Sequence, residues 1–302
     1  MKKLAEYENG NAFITIYDNG TRIIKTKGIE KPNLDFPLSI DLCITNYCNR
    51  GCLFCYANSG INGKHADIMN LKIIDSIKPG TEIAIGGGSA TSHPDLKKFL
   101  IKLKNKGIIA NMTVSQGEFI DNLNFINELI EEDLIHGLGI SFKEKNDILW
   151  KAIAENQNCV VHLIAGVHGE DVYEYLSKFG LKILILGYKD VGRGQYYHEA
   201  MGDAIDKEIE KLKNNLPKYL DKFETISFDN LSILQLNPKT LVEEKEWNKL
   251  YQGDDGTISC YINAVDETIH ISSLDNRGFP LSDNISEDFK KIKELKNKDI
   301  LT

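Results

Sequence analysis

Two hydrophobic periods alternate along most of the chain. Short apolar and β-branched runs recur at Leu38 to Ile44, Glu82 to Ile85, Ile108 to Val114, Leu138 to Phe142, Cys159 to Ala165 and Lys182 to Gly187. Runs of this length and composition predict strands. Between them lie stretches with helical spacing, such as Leu96 to Lys106 and Asn122 to Glu132. Six strands alternating with helices imply parallel βα units, and therefore an α/β fold.

The pattern changes at both ends. Ala12 to Tyr17 and Thr21 to Thr26 are strand-like runs separated by Asp18-Asn19-Gly20. Asn-Gly supplies the positive backbone angles of a tight turn, so residues 1–36 read as an N-terminal β-hairpin followed by a linker marked by Pro32. Residues 37–202 hold the βα repeats, and residues 203–302 form a C-terminal cap. In the cap, Ile205, Ile209, Leu212 and Leu216 make an apolar helical stripe that ends at Pro217. Thr225 to Phe228 and Ser232 to Leu236 read as strands, and Thr257 to Ile262 with Thr268 to Ser272 as a second hairpin. A last helix carries Ile285, Phe289, Ile292 and Leu295 on one face.

Composition narrows the function classes. A chain of 302 residues with 42% hydrophobic content builds a sizeable core. Its formal net charge of −8 gives no global positive field for nucleic acid, which is therefore an unlikely partner. No apolar run approaches a membrane span, and the opening Met1-Lys2-Lys3-Leu4 lacks a signal-peptide core. The expectation is a cytoplasmic protein without a membrane partner, where reduced cysteines are at home.

The densest chemistry is Cys48-Asn49-Arg50-Gly51-Cys52-Leu53-Phe54-Cys55, a C-x3-C-x2-C spacing. Three thiolates on one short loop can ligate three irons of a [4Fe–4S] cube, leaving the fourth iron open for reaction. The competing reading is a zinc site of three cysteines and a histidine. Zinc sites usually pair C-x2-C elements with a spaced histidine, and none follows here until His65.

The triplet, with an aromatic residue before its third cysteine, resembles the radical S-adenosylmethionine (radical SAM) superfamily. That resemblance implies an open (βα)6 partial TIM barrel, with the cysteine loop after the first strand. It also implies that SAM chelates the open iron through its amino and carboxylate groups. An electron from the cluster then yields methionine and a 5′-deoxyadenosyl radical. Phe54 matches the aromatic position that packs near the adenine.

Further matches follow the strands. Gly86-Gly87-Gly88-Ser89-Ala90 resembles the family's Gly-Gly-Glu-Pro segment, with Gly87 and Gly88 offering carbonyls to the SAM amino group. Ser89 and Ala90 replace the Glu and Pro, so no acidic role carries over, and His93 reads as structural. Ser115 and Ser141 sit where the family places polar residues on SAM, although hydroxyls at strand ends are also common caps. Ile164 and Gly166 match the adenine-contacting segment, whereas Glu170 is off by one position and is not carried over. Arg193, between Gly192 and Gly194, is placed to clamp a carboxylate of SAM or substrate; the alternative is a solvated loop charge.

Cys43, Cys159 and Cys260 do not resemble the family's auxiliary-cluster (SPASM-type) spacing, so a single cluster is expected. Cys260 or Tyr261 is a candidate hydrogen-atom donor, against a buried structural cysteine. The resemblance thus implies an enzyme that begins by abstracting a hydrogen atom. Its partners would be SAM, an electron donor such as flavodoxin or ferredoxin, and a substrate. The C-terminal hairpin favours a peptide or protein side chain; a small metabolite, nucleotide or sugar is the rival. A non-catalytic iron–sulfur or zinc protein is the third reading.

Overall fold

A computed structural model describes residues 1–28 and 31–300. The chain opens with β1 (Lys3–Asn9), β2 (Ala12–Tyr17) and β3 (Arg22–Thr26), an antiparallel sheet in that order. The second and third strands and their Asn19-Gly20 turn match the expected hairpin; Gly20 takes φ 84° and its N–H donates to Tyr17 O at 3.1 Å. The hairpin has, however, gained β1. Its sequence, Lys-Leu-Ala-Glu-Tyr-Glu-Asn, carries little apolar signal, and pairing with β2 is what makes it a strand.

The βα region then runs β4 (Ser39–Thr45), β5 (Glu82–Gly87), α1 (Leu96–Asn105), β6 (Ile109–Ser115), α2 (Gln116–Asp121), α3 (Leu123–Glu131) and β7 (Gly137–Ser141). It continues with α4 (Asp147–Ala154), β8 (Cys159–Ile164), α5 (Glu170–Leu176), β9 (Lys182–Leu186) and α6 (Arg193–Tyr219). The remainder holds β10 (Thr225–Phe228), α7 (Asn230–Leu236), α8 (Glu244–Leu250), β11 (Ser259–Asn263), β12 (Thr268–His270), β13 (Phe279–Pro280) and α9 (Ile285–Ile300). Strands β4 to β9 are parallel and adjacent in chain order, as the alternation predicted and as the open partial barrel implied by the resemblance requires.

The C-terminal third joins this sheet at both edges. β10 adds parallel to β9, and β11 adds parallel to β4, followed by antiparallel β12 and β13. One predicted strand is a helix: Ser232 to Leu236 lies in α7. An apolar run this short satisfies either period, and the caps decide. Asp229 accepts the N–H of Ser232 at 2.7 Å, and Asn237 closes the helix at φ 49°. α6 also begins twelve residues before Ile205, the first residue of the predicted stripe, and runs past Pro217, which sits in its last turn.

Strand alternation divides the sheet into two faces. The rows Cys260–Ile40–Ile83–Ala110 and Val114–Ile140–Val161–Ile183 are buried. These pack beneath the helices, with Phe99, Trp150 and Phe289 in the same core. The opposite, concave face carries Tyr261–Asp41–Ala84–Asn111–Gly137 in one row and Ser115–Ser141–His162–Leu184 in another. A closed barrel fills this side with bulky residues. Here Ala84, Gly86, Gly137 and Gly139 leave it open.

The N-terminal sheet lies at the far end of the barrel. Arg22 of β3 pairs with Glu82, the first residue of β5, and Nε donates at 2.9 Å. Among the described residues no helix is long and apolar enough to cross a membrane.

A candidate active site at the C-terminal strand ends

The cysteine loop leaves β4 at Thr45 and is held by its own backbone. Asn46 N–H donates to Lys64 O at 2.9 Å, Cys48 N–H to Gly60 O at 3.0 Å and Gly60 N–H to Asn46 O at 3.1 Å. A tighter turn carries Cys55 N–H to Cys52 O at 3.4 Å and Asn58 N–H to Cys55 O at 3.2 Å. Cys48 and Cys55 are half-buried and Cys52 is exposed. Burial pushes the Cys52 thiol up, Cys55 and Cys48 push it the same way, and Arg193 opposes them. The Cys52 sulfur therefore feels its two neighbours as charges, and a cationic iron group would relieve that repulsion.

Three thiols on one short loop are the soft donor set that an iron–sulfur cluster takes. His65, the histidine of the zinc reading, has Nδ1 2.9 Å from Thr45 Oγ1 and packs against His93 at 5.1 Å between ring centroids. Burial, and then His93, push its imidazole pKa down.

Gly87 and Gly88 lie against the root of this loop. Gly88 N–H donates to Thr45 O and Ser89 N–H to Tyr47 O, both at 2.7 Å. A Cβ on Gly88 would sit 2.1 Å from Tyr47 O, and one on Gly87, at φ 114°, 2.4 Å from Thr45 O. Only glycine permits this approach. His93 is structural, as expected, with Nε2 2.9 Å from Ala66 O and Nδ1 accepting from Asp95 N–H at 3.1 Å.

Arg193 is not a solvated loop charge. It starts α6, and its guanidinium turns back on the cysteine loop. Nε donates to Cys52 O at 2.9 Å; Nη1 donates to Ser59 O at 2.8 Å and Asn58 Oδ1 at 3.2 Å; its backbone N–H donates to Cys55 O at 3.0 Å. In this structure the guanidinium braces the cysteine loop. Arg193→Lys should cost the loop about 1–2 kcal/mol, roughly 5- to 30-fold in its opening equilibrium, because an ammonium cannot hold this fork. Iron loss to a chelator should accelerate accordingly while the melting temperature moves little; an unchanged loss rate would remove the brace role.

The remaining expected positions divide. Phe54 is half-buried and meets Tyr197 of α6 edge-on at 6.0 Å between centroids. Ser115 caps α2, its Oγ accepting from Glu118 N–H at 3.1 Å. Ser141 stands beside it in register on the concave face. Ile164 ends β8, its N–H donating to His168 Nδ1 at 2.7 Å. Gly166, at φ 80°, is buried under α6, where a Cβ would lie 2.7 Å from Ile205 Cγ2.

Strand parity separates the two hydrogen-donor candidates. Cys260 faces the helix side, 2% exposed, and burial drives its thiol pKa well up. It is a core cysteine, remote from the concave face. Tyr261 is on the concave face near Cys43, which is itself buried beside Gly87.

Three concave-face or mouth residues had gone unnoticed in the sequence. His162 lies over Gly139, where a Cβ would be 2.3 Å from its ring, and burial pulls its pKa down to about 4, so it is neutral. Glu118 is buried, its Oε1 accepting from Thr91 N–H at 2.8 Å and Thr91 Oγ1 at 2.7 Å. Asp41 projects from the middle of β4. A polar residue inside an apolar strand was the available signal for Asp41 and His162; Glu118 offered none.

A family model of the radical SAM superfamily matches residues 42–231. Over 98 residues, 30% of this chain and 19% of the relative, the sequence is 28% identical to a 7,8-dihydro-6-hydroxymethylpterin dimethyltransferase of Methanocaldococcus jannaschii. Streptococcus suis SuiB bound to precursor peptide SuiA superposes with a TM-score of 0.54 at 17% identity, over 78% of this chain and 60% of SuiB. SuiB bound to S-adenosylmethionine superposes at 0.51 with 14% identity and the same coverage. The likeness to SuiB is one of fold, and the chain spans about a fifth of the curated relative's length and 60% of SuiB's.

Proposed function

The chain belongs to the radical SAM superfamily, and from that premise we propose that it is an enzyme carrying one [4Fe–4S] cluster on Cys48, Cys52 and Cys55. The cluster, when bound, supplies the electron that splits SAM into methionine and a 5′-deoxyadenosyl radical, which takes a hydrogen atom from the substrate. The observation that carries this reading is the three-thiol loop at the C-terminal strand ends, braced by Arg193 and seated on Gly88.

The chain's own residues hold and enclose. Gly87 and Gly88 bring backbone close to the loop, which suits carbonyls offered to the SAM amino group. Phe54 and Ile164 present apolar surface for the adenine. Ser141 offers a hydroxyl on the concave face, and Tyr261 is the hydrogen-donor candidate that its parity favours. Ser115 keeps a hydroxyl proton to give while its oxygen caps α2.

A peptide or protein side chain remains the favoured substrate, since the superposed SuiB was solved with a precursor peptide and the concave face is open. A small molecule is the second reading, supported by the match to a pterin-modifying methyltransferase. An electron carrier such as flavodoxin or ferredoxin would reach the exposed side of the loop at Cys52.

Reduced with dithionite after anaerobic reconstitution, the protein should release 5′-deoxyadenosine slowly on its own and faster with substrate. Its electron paramagnetic resonance signal should come from one cluster and shift when SAM is added. A signal indifferent to SAM, with no 5′-deoxyadenosine formed, would leave the iron–sulfur scaffold as the function. A second cluster signal that persists without the loop cysteines would overturn the single-cluster part alone.

A further inference from the structure

The concave face holds one carboxylate that nothing in the fold uses. Asp41 is exposed, and its place in the middle of β4 puts it on the concave face of the sheet, between Tyr261 and Ala84. Among the described residues its carboxylate has no hydrogen-bond or ion-pair partner. The charged groups around it are committed elsewhere. Asp229 accepts from Gly187 N–H at 2.9 Å and Ser232 N–H at 2.7 Å. Asp255 accepts from Asn230 Nδ2 at 2.9 Å and Ser259 Oγ at 3.1 Å. Lys189, the cation whose charge reaches Asp41, donates to Ser273 Oγ at 2.9 Å and lies 4.0 Å from the centre of the Tyr56 ring.

Three carboxylates facing one lysine leave this part of the lumen negative. An unpartnered carboxylate among other carboxylates gains by pairing with a positive donor. We propose that Asp41 anchors the substrate through an organic cation, an ammonium or guanidinium group that enters the lumen from the C-terminal strand ends. The proposal rests on the enzyme reading above and names the substrate class that its lumen accepts.

Two further features fit this assignment. Tyr261 stands in register beside Asp41, and Ala84 on the other side leaves room. An aromatic neighbour and a small one suit a cation on an apolar stem. Thr45, where the cysteine loop departs, lies four residues up the same strand, about 13 Å away. A cation held at Asp41 would therefore be a recognition group, set below the carbon that reacts at the mouth.

The pH dependence follows from the surroundings. Burial pushes the Asp41 carboxyl up to about 6, Lys189 pulls it down, and Asp255 and Asp229 push it up. Tyr56 and Tyr261 also face it and stay neutral through this range, burial pushing the Tyr261 hydroxyl far up. Cation binding needs the carboxylate, so affinity is full above pH 6 and is lost as pH falls below it.

The test uses reconstituted protein with SAM and three probes: the Nα-acetyl N-methylamides of lysine, arginine and norleucine, the last neutral and of similar length. Dissociation constants are measured by equilibrium dialysis at neutral and acidic pH, for wild type, Asp41→Asn and Asp41→Glu. At least one charged amide should bind wild type roughly 10-fold more tightly than the norleucine amide at neutral pH. That preference should shrink in acid, vanish in Asp41→Asn and survive in part in Asp41→Glu. Equal binding of charged and neutral amides, no binding of any, or a preference retained by Asp41→Asn would overturn the proposal. The wild-type pH profile decides the matter even if a variant fails to fold. Release of 5′-deoxyadenosine by wild type, measured in parallel, separates the two readings. Preference without release sinks the enzyme reading; release without preference sinks the cation anchor alone.

Discussion

Replacing Cys48, Cys52 and Cys55 together by alanine should take bound iron from about four per chain to none. Each thiolate holds one iron, and no other residue of the loop offers a soft donor. The fold should survive the change. The loop is held by backbone hydrogen bonds, by Arg193 and by the glycine turn, and none of these contacts uses a sulfur atom. The apo triple variant should therefore melt within about 0.5 kcal/mol of apo wild type, as exposed or half-buried positions usually do. Cys159→Ala and Cys260→Ala should show the reverse, keeping iron and losing stability, because both side chains are buried on the helix face of the sheet. Iron assay with melting by circular dichroism reads both quantities. Full iron retention in the triple variant would refute the cluster assignment.

Gly192→Ala is the single substitution expected to do most damage. Gly192 precedes α6 at φ 58° and ψ −133°, a region that only glycine occupies with ease. A Cβ there would stand 2.2 Å from Tyr56 O and 3.0 Å from Cys55 O. Both oxygens belong to backbone, so neither can swing aside. Strain and overpacking together should cost about 2–4 kcal/mol. They should also push the start of α6, with Arg193, away from the cysteine loop. Iron would then be lost faster to a chelator even below the melting temperature. Gly20→Ala is the control: it too has a positive φ, 84°, but meets nothing within 4 Å. It should cost about 1 kcal/mol and leave iron binding alone. If both variants behave alike, close approach at Gly192 is not what joins helix to loop.

The same geometry explains why the bracing role of Arg193 was not legible in the sequence. Its neighbours Gly192 and Gly194 look like a flexible rim in the sequence. In the structure they are glycines because carbonyls of Tyr56 and Lys189 come within 2.2 Å of where a side chain would begin. Glycines at close backbone approach and glycines in loose loops are the same letters, so only the fold tells them apart. α7 failed for a related reason, since Ser232 to Leu236 is too short for its period to speak and Asp229 settles it by capping. β1 carries almost no apolar pattern and exists because β2 offers it an edge.

Local chemistry alone determined a good deal. Repeated short apolar runs with helices between them dictated the parallel sheet, because a strand signal needs only its own residues and their alternation. The C-x3-C-x2-C triplet was equally self-contained, since three thiolates within eight residues share a loop in any fold. Even the parity that buries Cys260 and turns Tyr261 to the other face is present in Ile258-Ser259-Cys260-Tyr261-Ile262. Tertiary structure decided what depends on groups far apart in sequence. It carried Arg193 to the cysteine loop, set β11 beside β4, and placed Asp41 on the concave face beside Tyr261. Direction, company and burial belong to pairs of distant residues, and they exist only once the chain has closed on itself.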